Sequence, residues 1–185
     1  VEVFDNFLNK EDFSDLNKIS YDRVGNKEIK IYHNVISKEK ILKTENINHD
    51  LLLRLNQNYH NFALNLLKKL NPKKIDLYDF SEFSLIVTGS NYKFPIHDDT
   101  PDKLLSGVIY LYPEKNTGTI FYDSKKGANK RIIEWKQNRA VFFSRNERET
   151  WHSYEGDGSS NRIALVYNLM TKKVKEVYKA EGKNY

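Results

Sequence analysis

The chain has 185 residues, 39% of them hydrophobic and 13% aromatic, which is enough for one packed domain and excludes global disorder. It has no cysteine, which excludes disulfides, zinc–thiolate sites and iron–sulfur clusters, so any metal ion must be bound by histidine, carboxylate or water. The formal charge of +5 comes from basic residues interleaved with acidic ones, and no apolar run reaches the roughly 20 residues of a membrane span, so we expect a cytoplasmic protein with neither nucleic-acid nor membrane partners.

The N-terminal part predicts one short strand and one helix. Residues 1–8 alternate between apolar and polar side chains, which favours a strand. Asn9 then precedes an acidic first turn, the pattern of a helix N-cap, and predicts a helix that extends to about Lys18. The following stretch, residues 19–47, is mostly polar and favours no particular element.

A long amphipathic helix is predicted for residues 48–70, where apolar side chains recur every three or four positions until Pro72 ends the pattern. After Pro72 the sequence consists of short apolar or alternating runs that are separated by turn-rich segments. This pattern is typical of strands. The predicted strands are residues 80–87, 104–112, 119–122, 132–135, 140–144 and 162–169.

Short strands at this spacing are typical of a β-sandwich or barrel. We therefore predict a single domain that is mainly β with supporting helices (α+β). In this interpretation residues 1–72 form an N-terminal helical support, residues 73–170 form the β core, and residues 171–185 form a C-terminal tail.

One of the five histidines is followed two positions later by a carboxylate that could share a metal ion with it. This pair is His97 and Asp99, in FPIHDDTPD, and alone it is weak evidence because a surface histidine in a turn explains it equally well. His152, which follows an apolar strand, would complete a facial triad of two histidines and one carboxylate with three coordination positions open. The histidines without a ligand partner at a useful spacing, which we interpret as structural or surface residues, are His33, His49 and His60.

An arginine begins the last predicted strand, ten residues after His152. On a period of two, Arg162 shares one face of this strand with Ala164, Val166 and Asn168. A guanidinium can hold a carboxylate through two parallel hydrogen bonds, although an arginine at a strand edge can also simply extend into solvent. Together with the three predicted metal ligands, Arg162 is better explained as an anchor for an anion.

The series FPIHDD, GVIYLYP, GTIF and FFSRNERETWHSYEGDGSSNR resembles the prolyl-4-hydroxylase-like group of iron(II)- and 2-oxoglutarate-dependent oxygenases, over about half of the chain. The opening VFDNFLNKEDF is also similar to the start of that group. The resemblance implies a double-stranded β-helix, or jelly roll. It also implies that His97, Asp99 and His152 bind Fe(II) and that Arg162 binds the distal carboxylate of 2-oxoglutarate.

The same resemblance implies two further contacts and contains one departure. By motif position, the Tyr110 hydroxyl would contact the distal carboxylate, unless Tyr110 is a core aromatic, and Thr119 would line the same pocket. Asn168 is a weaker candidate for the pocket. Many relatives have a hydroxyl residue two positions after the arginine, where this chain has Ala164, so one hydrogen bond to the co-substrate would be missing. Asp98 is expected to support the ligands rather than to bind metal.

The activity implied by the resemblance is hydroxylation of an unactivated C–H bond, with O2 and 2-oxoglutarate consumed and CO2 and succinate released. The substrate would be a protein, a peptide (with peptidyl-proline as the family-level expectation) or a small molecule, and ascorbate is an accessory cofactor that the resemblance suggests. The basic stretch 124–131 could favour an acidic or anionic substrate, or be an ordinary solvated loop. The alternatives are a non-catalytic jelly-roll binding module and a cupin-type metal protein without 2-oxoglutarate.

Overall fold

Two antiparallel β-sheets face each other, and helices cover the outer side of the larger sheet. The computed structural model describes residues 1–38, 40–146 and 148–185. The helices are α1 (Lys10–Asn17), α2 (His49–Leu70) and α3 (Val174–Ala180), and a 3-10 helix spans Pro72–Leu77. The strands are β1 (Glu2–Phe4), β2 (Ile29–Tyr32), β3 (Val35–Ser37), β4 (Lys40–Lys43), β5 (Phe80–Thr88), β6 (Lys93–His97), β7 (Lys103–Tyr112), β8 (Ile120–Tyr122), β9 (Arg131–Ile132), β10 (Ala140–Phe143), β11 (Trp151–Glu155) and β12 (Arg162–Met170).

The eight strands β5 to β12 form the jelly roll. The major sheet has the order β1-β10-β7-β12-β5-β3-β4, with β2 also paired to β5, and the minor sheet has the order β6-β11-β8-β9. Strands that follow each other in the chain therefore mostly alternate between the two sheets, as expected for a double-stranded β-helix. The predicted fold class, mainly β with supporting helices, is confirmed.

The central strand β12 separates the core from the cavity by alternation of its side chains. Its odd-numbered residues between 165 and 169 are buried in the main core, together with apolar side chains of α2. Its even-numbered residues between 162 and 168 line a cavity between the two sheets. The two-residue period of one strand thus places packing residues and site residues on opposite faces.

Both predicted N-terminal helices are present: α1 begins after the predicted cap Asn9, and α2 begins after Asn48, the first residue of the predicted helix. The Asn9 side chain accepts a hydrogen bond from the Asp12 backbone N–H at 2.8 Å, and the Asn48 side chain accepts one from the Leu51 backbone N–H at 2.9 Å. Helix α2 packs its apolar face on the major sheet. A fully buried leucine such as Leu52 contributes about 1.5–3 kcal/mol relative to an exposed one.

The structure differs from the sequence-based expectation in the polar segment between the helices. The strands β2, β3 and β4 lie in this segment and extend the major sheet, so the first 72 residues supply strands as well as helical support. The apolar pattern of these strands is weak because they lie at or near a sheet edge, and Ile36 is the one described residue in them that is fully buried. The predicted strand 132–135 is also shorter, since β9 covers Arg131–Ile132, and the predicted tail contains α3. Among the described residues, none of the helices is long and apolar enough to cross a membrane.

A buried carboxylate joins α1 to α2. Asp12 is fully buried and accepts hydrogen bonds from Tyr59 at 2.7 Å, from Asn58 at 2.9 Å and from Arg54 at 2.6 Å. Burial alone would raise the pKa of Asp12, but the hydrogen bonds and the charge of Arg54 outweigh it and lower the pKa. Asp12 is therefore held as a carboxylate.

We expect Asp12→Asn to lower the free energy of unfolding by roughly 1–3 kcal/mol, because an amide turns a donor toward Arg54 or Asn58. Since the folded pKa of Asp12 is lowered, its contribution is fully present above the unfolded pKa of roughly 3.9 and is lost as the pH falls through the folded value. The difference in the free energy of unfolding between the unaltered protein and Asp12→Asn, measured with urea, should become smaller below about pH 4. The exposed Asp50→Asn serves as the control, and an equal loss in both variants would contradict this role.

Candidate metal and co-substrate site

Three predicted ligands converge where the strands β6 and β11 pair. His97 and His152 are direct partners across these antiparallel strands, and the centroids of their rings lie 4.2 Å apart. Asp99 follows two residues after the end of β6, and its Oδ1 lies 4.0 Å from Nε2 of His152. One ligand atom from each of the three residues lies within 4.8 Å of the others, a separation that suits binding to a single ion.

The Asp99 carboxylate is buried and oriented by two donors. Its residue is 6% exposed, and it accepts hydrogen bonds from Ser106 Oγ at 2.6 Å and from Lys103 Nζ at 2.8 Å. Burial would raise the pKa of Asp99, but Lys103, His152 and Ser106 together lower it to about 2. The carboxylate is therefore ionised at neutral pH, as a metal ligand must be.

Both histidines present the same ring nitrogen to the site. Nδ1 of His97 lies 2.9 Å from the carbonyl oxygen of Pro95, and Nδ1 of His152 lies 2.9 Å from that of Thr150. Because a carbonyl only accepts, each Nδ1 donates, and Nε2 keeps its lone pair for a metal. Burial, with a smaller effect of His152, lowers the pKa of His97 and favours the neutral ring.

Asp98 supports the site instead of pointing into it. Its carboxylate accepts hydrogen bonds from the Arg148 backbone N–H at 2.7 Å and from Thr150 Oγ1 at 2.7 Å. These bonds connect the segment that carries Asp99 to the segment that leads into His152. The two adjacent aspartates thus have different surroundings, one beside the histidines and one in the connection behind them.

A buried ionic cluster lies behind the Asp99 backbone. Arg145 Nε donates to the Asp99 carbonyl at 3.0 Å, and Arg145 Nη1 donates to Glu181 at 2.8 Å. Lys74 Nζ also donates to Glu181, at 2.7 Å, and the three side chains of this cluster are at most 3% exposed. Glu181 follows α3, so the C-terminal segment takes part in holding the loop that carries Asp99.

We expect Glu181→Gln to destabilise the fold by about 3–5 kcal/mol, because it leaves two buried cations without their shared carboxylate. The expected loss should be visible in the urea midpoint, and Mn(II) affinity should fall by about 10-fold or more because Arg145 loses its orientation. Glu176→Gln, on the exposed side of α3, removes the same charge and serves as the control. Equal midpoints for the two variants would show that the cluster does not stabilise the loop.

Arg162 lies in the same inter-sheet cavity as the three predicted ligands, a space of about 120 Å³. It is 6% exposed, its Nε has no hydrogen-bond partner among the described residues, and no described carboxylate pairs with it. Its guanidinium lies 3.9 Å from the centroid of the Tyr154 ring and 5.2 Å from that of Trp135. Burial lowers the pKa of Arg162, which remains protonated because a free guanidinium has a pKa above 12. A buried cation in this position is costly until an anion pairs with it.

The two predicted co-substrate contacts occupy different layers. Thr119 lines the cavity, whereas Tyr110 is fully buried beside it, stacked on Trp135 at a centroid distance of 4.5 Å. The Tyr110 hydroxyl donates to Thr119 Oγ1 at 3.0 Å and accepts from the Thr119 backbone N–H at 2.8 Å. In this arrangement Tyr110 orients Thr119, and the Thr119 side chain is the one that reaches the cavity. Ala164 lines the cavity and offers no hydroxyl.

Several residues of the site were not found by sequence reasoning. Tyr154 lies two positions after His152, so the strand period could have placed it on the same face. Lys103 and Ser106 carry no motif that marks them as partners of Asp99. Asn168 does line the cavity, is 2% exposed, and its Oδ1 has no partner among the described residues.

Comparison with solved structures identifies the fold. A Pseudomonas putida prolyl-4-hydroxylase superposes with a TM-score of 0.56 at 15% identity, covering 92% of each chain. A prolyl hydroxylase from Trichoplax adhaerens, in complex with a peptide fragment of the hypoxia inducible factor oxygen degradation domain, has a TM-score of 0.57 at 14% identity and covers 94% of this chain and 84% of its own. An oxidoreductase of the 2OG-Fe(II) oxygenase family from Burkholderia pseudomallei has a TM-score of 0.54 at 13% identity, with 87% and 78% covered.

Comparison of the sequence alone finds no relative of this chain. No protein-family model matches the chain, and no curated protein matches it significantly. The likeness to solved structures, at 13–15% identity, establishes the architecture. The chain has the jelly-roll fold of the prolyl hydroxylases and of the 2OG-Fe(II) oxygenases.

Proposed function

We propose that this protein is an iron(II)- and 2-oxoglutarate-dependent dioxygenase that hydroxylates an unactivated C–H bond of its substrate. The observation that carries the proposal is the buried Arg162, which has no carboxylate partner in the part of the chain that the structure describes and shares one cavity with His97, Asp99 and His152. An anion anchor and an open metal site in one enclosed space are what a chelating dicarboxylate requires. The fold shared with 2OG-Fe(II) oxygenases supports the same conclusion.

The donor set fits ferrous iron. Two imidazole nitrogens and one carboxylate oxygen are the ligands of the facial triad, which leaves three positions for other ligands. A structural zinc site would need a fourth protein ligand, and Mg²⁺ or Ca²⁺ would prefer more oxygen atoms. Iron, when bound, would supply the activation of O2, with 2-oxoglutarate as the reductant that leaves as succinate and CO2.

The residues of the chain would bind the co-substrate and keep the cavity dry. Arg162 would hold the distal carboxylate of 2-oxoglutarate through two parallel hydrogen bonds, with the ring of Tyr154 over one face of the guanidinium. Val108 and Val166 provide apolar walls against which methylene groups can pack. Lys103 and Ser106 would keep the Asp99 carboxylate oriented. With 2-oxoglutarate bound, these side chains would exclude water from most of the cavity.

The two alternative functions have weaker support. A jelly-roll module that only binds a ligand has no need for three convergent metal ligands beside a buried arginine. In a cupin-type metal protein without 2-oxoglutarate, the buried charge of Arg162 would have no anionic ligand to bind. The described residues offer nothing that supports a role for ascorbate.

The proposed activity is tested by measuring succinate formed from 2-oxoglutarate in the presence of Fe(II) and O2, with the His152→Ala variant as the control. We expect slow succinate release without any substrate, dependent on all three components and absent from the variant. A protein that binds a ligand equally well with and without His152 and forms no succinate would be a binding module. For the primary substrate we propose a peptide, because a neighbour of the same fold is described with a bound peptide fragment.

A further inference from the structure

Two of the three predicted metal ligands border a second cavity, whose lining does not include Arg162. His97 and Asp99 line both the inner cavity and an open groove of about 370 Å³. This inference rests on the proposed function, in which 2-oxoglutarate occupies the inner cavity. The open groove, which we name the outer groove, is then the side from which a primary substrate reaches the metal.

The walls of the outer groove carry two positive charges that have no ion-pair partner among the described residues. Lys125 lies on the loop between β8 and β9, and Arg148 lies on the loop before β11. Both side chains are exposed. The third cation there, Arg145, is already paired with Glu181.

The acids of the outer groove are engaged elsewhere. Asp98 accepts hydrogen bonds from Thr150 and from the Arg148 backbone, and Asp99 belongs to the metal site. On the same loop, Glu149 accepts a hydrogen bond from Asn146 and lies 3.9 Å from Lys183. Among the residues that the structure describes, the unpaired charge facing the groove is therefore positive.

Backbone contacts hold both loops, so the two cations are carried at defined backbone positions on the groove wall. The Trp151 Nε1 donates to the Arg148 carbonyl at 3.0 Å, which fixes the indole ring on the groove wall. The loop with Lys125 turns tightly, with the Gly127 N–H donating to Ser124 O at 3.0 Å. A Cβ added at Gly127, where φ is +84°, would lie 3.3 Å from Ile96 Cδ1, so the backbone of this loop rests on the residue before His97.

We propose that the outer groove binds an acidic segment of a protein or peptide substrate, with its carboxylates held by Lys125 and Arg148 and an apolar side chain against Trp151. A peptide fits better than a small acid because the groove is open and its cations are exposed, whereas small-ligand sites enclose most of the ligand surface. Exposed cations of this kind act on recognition and association rate rather than on chemistry.

The test measures binding of three fluorescent peptides to the Mn(II)- and 2-oxoglutarate-loaded protein. The peptides share one length and one central proline and differ only in flanking residues, which are glutamate, glutamine or lysine. We expect the glutamate peptide to bind most tightly, and Lys125→Glu and Arg148→Glu each to weaken it by roughly 5- to 10-fold, with less effect at high salt. Lys126→Glu, on the same loop but outside the groove, should change affinity by less than about twofold.

The proposal is overturned if the glutamine peptide binds as tightly as the glutamate peptide, or if both groove variants behave like Lys126→Glu. Competition by N-acetylglutamate as strong as that by the peptide would overturn the peptide assignment in favour of a small acid. 2-Oxoglutarate affinity is measured in the same samples. Its absence in the unaltered protein would contradict the proposed function, whereas unchanged 2-oxoglutarate affinity with no charge preference among the peptides would contradict only this inference.

Discussion

Replacing Arg162 with alanine is expected to weaken 2-oxoglutarate binding by at least about 30-fold while Mn(II) affinity stays close to that of the unaltered protein. Truncating one partner of a buried, hydrogen-bonded charge pair costs 2–5 kcal/mol or more, and the lower end of that range corresponds to about 30-fold. Arg162 is not a metal ligand, so the metal site should remain intact. Isothermal titration with each ligand separates the two effects.

For Arg162→Ala we also expect that the loss of a buried side chain does not lower the thermal stability of the protein. Without 2-oxoglutarate, Arg162 is a buried cation that has no carboxylate partner among the described residues, so Arg162→Ala should leave the midpoint of thermal unfolding unchanged or raise it. 2-Oxoglutarate should then stabilise the unaltered protein and not the variant. Arg131→Ala removes an exposed arginine and is the charge-matched control. Equal 2-oxoglutarate affinity in Arg162→Ala and Arg131→Ala would remove the anchoring role.

Replacing Asp99 with alanine is expected to reduce metal affinity by well over 100-fold, since loss of even a supporting residue around a metal typically costs 10- to 100-fold. Asp98→Ala removes the adjacent carboxylate and should stay within that smaller range, because Asp98 holds the connection between the ligand segments. Equilibrium binding of Mn(II), followed by electron paramagnetic resonance of the free ion, gives both values. Circular dichroism of each variant verifies that it is folded.

The relative loss of metal affinity in Asp99→Ala and Asp98→Ala tests the ligand assignment. If Asp98→Ala loses the metal and Asp99→Ala retains it, the ligand assignment is wrong. If both lose it equally, the connection to Thr150 is as important as the ligand itself. Only a much larger loss in Asp99→Ala agrees with the geometry, in which Asp99 and not Asp98 lies beside His152.

Features of the fold that depend on residues close in the chain could be predicted from the sequence. The cap at Asn9 predicted the start of α1, because capping is decided within a few residues, and the apolar period of residues 48–70 predicted α2. The period of two in β12 predicted which of its side chains would share a face with Arg162. The resemblance of motifs to prolyl hydroxylases supplied the jelly roll, which spacing alone left open between sandwich and barrel.

Long-range contacts could not be derived in the same way. The strands β6 and β11, which carry the two histidines, were not predicted as strands, because a proline lies in the middle of β6 and polar residues interrupt the alternation of β11. Some contacts of Arg162 and Asp99 come from distant segments, as with the Trp135 ring beside Arg162 and the Arg145 guanidinium that donates to the Asp99 carbonyl. The position of Tyr110 behind Thr119 depends on how two sheets pack, which no local pattern encodes.

The central claim is tested most directly by titrating the protein with Fe(II) under anaerobic conditions, with and without 2-oxoglutarate, and recording the visible spectrum. We expect a weak charge-transfer band that requires both iron and 2-oxoglutarate and that is absent in Asp99→Ala. Iron binding without such a band would contradict the account, and the protein would then be a metal-binding jelly roll in which Arg162 serves another ligand.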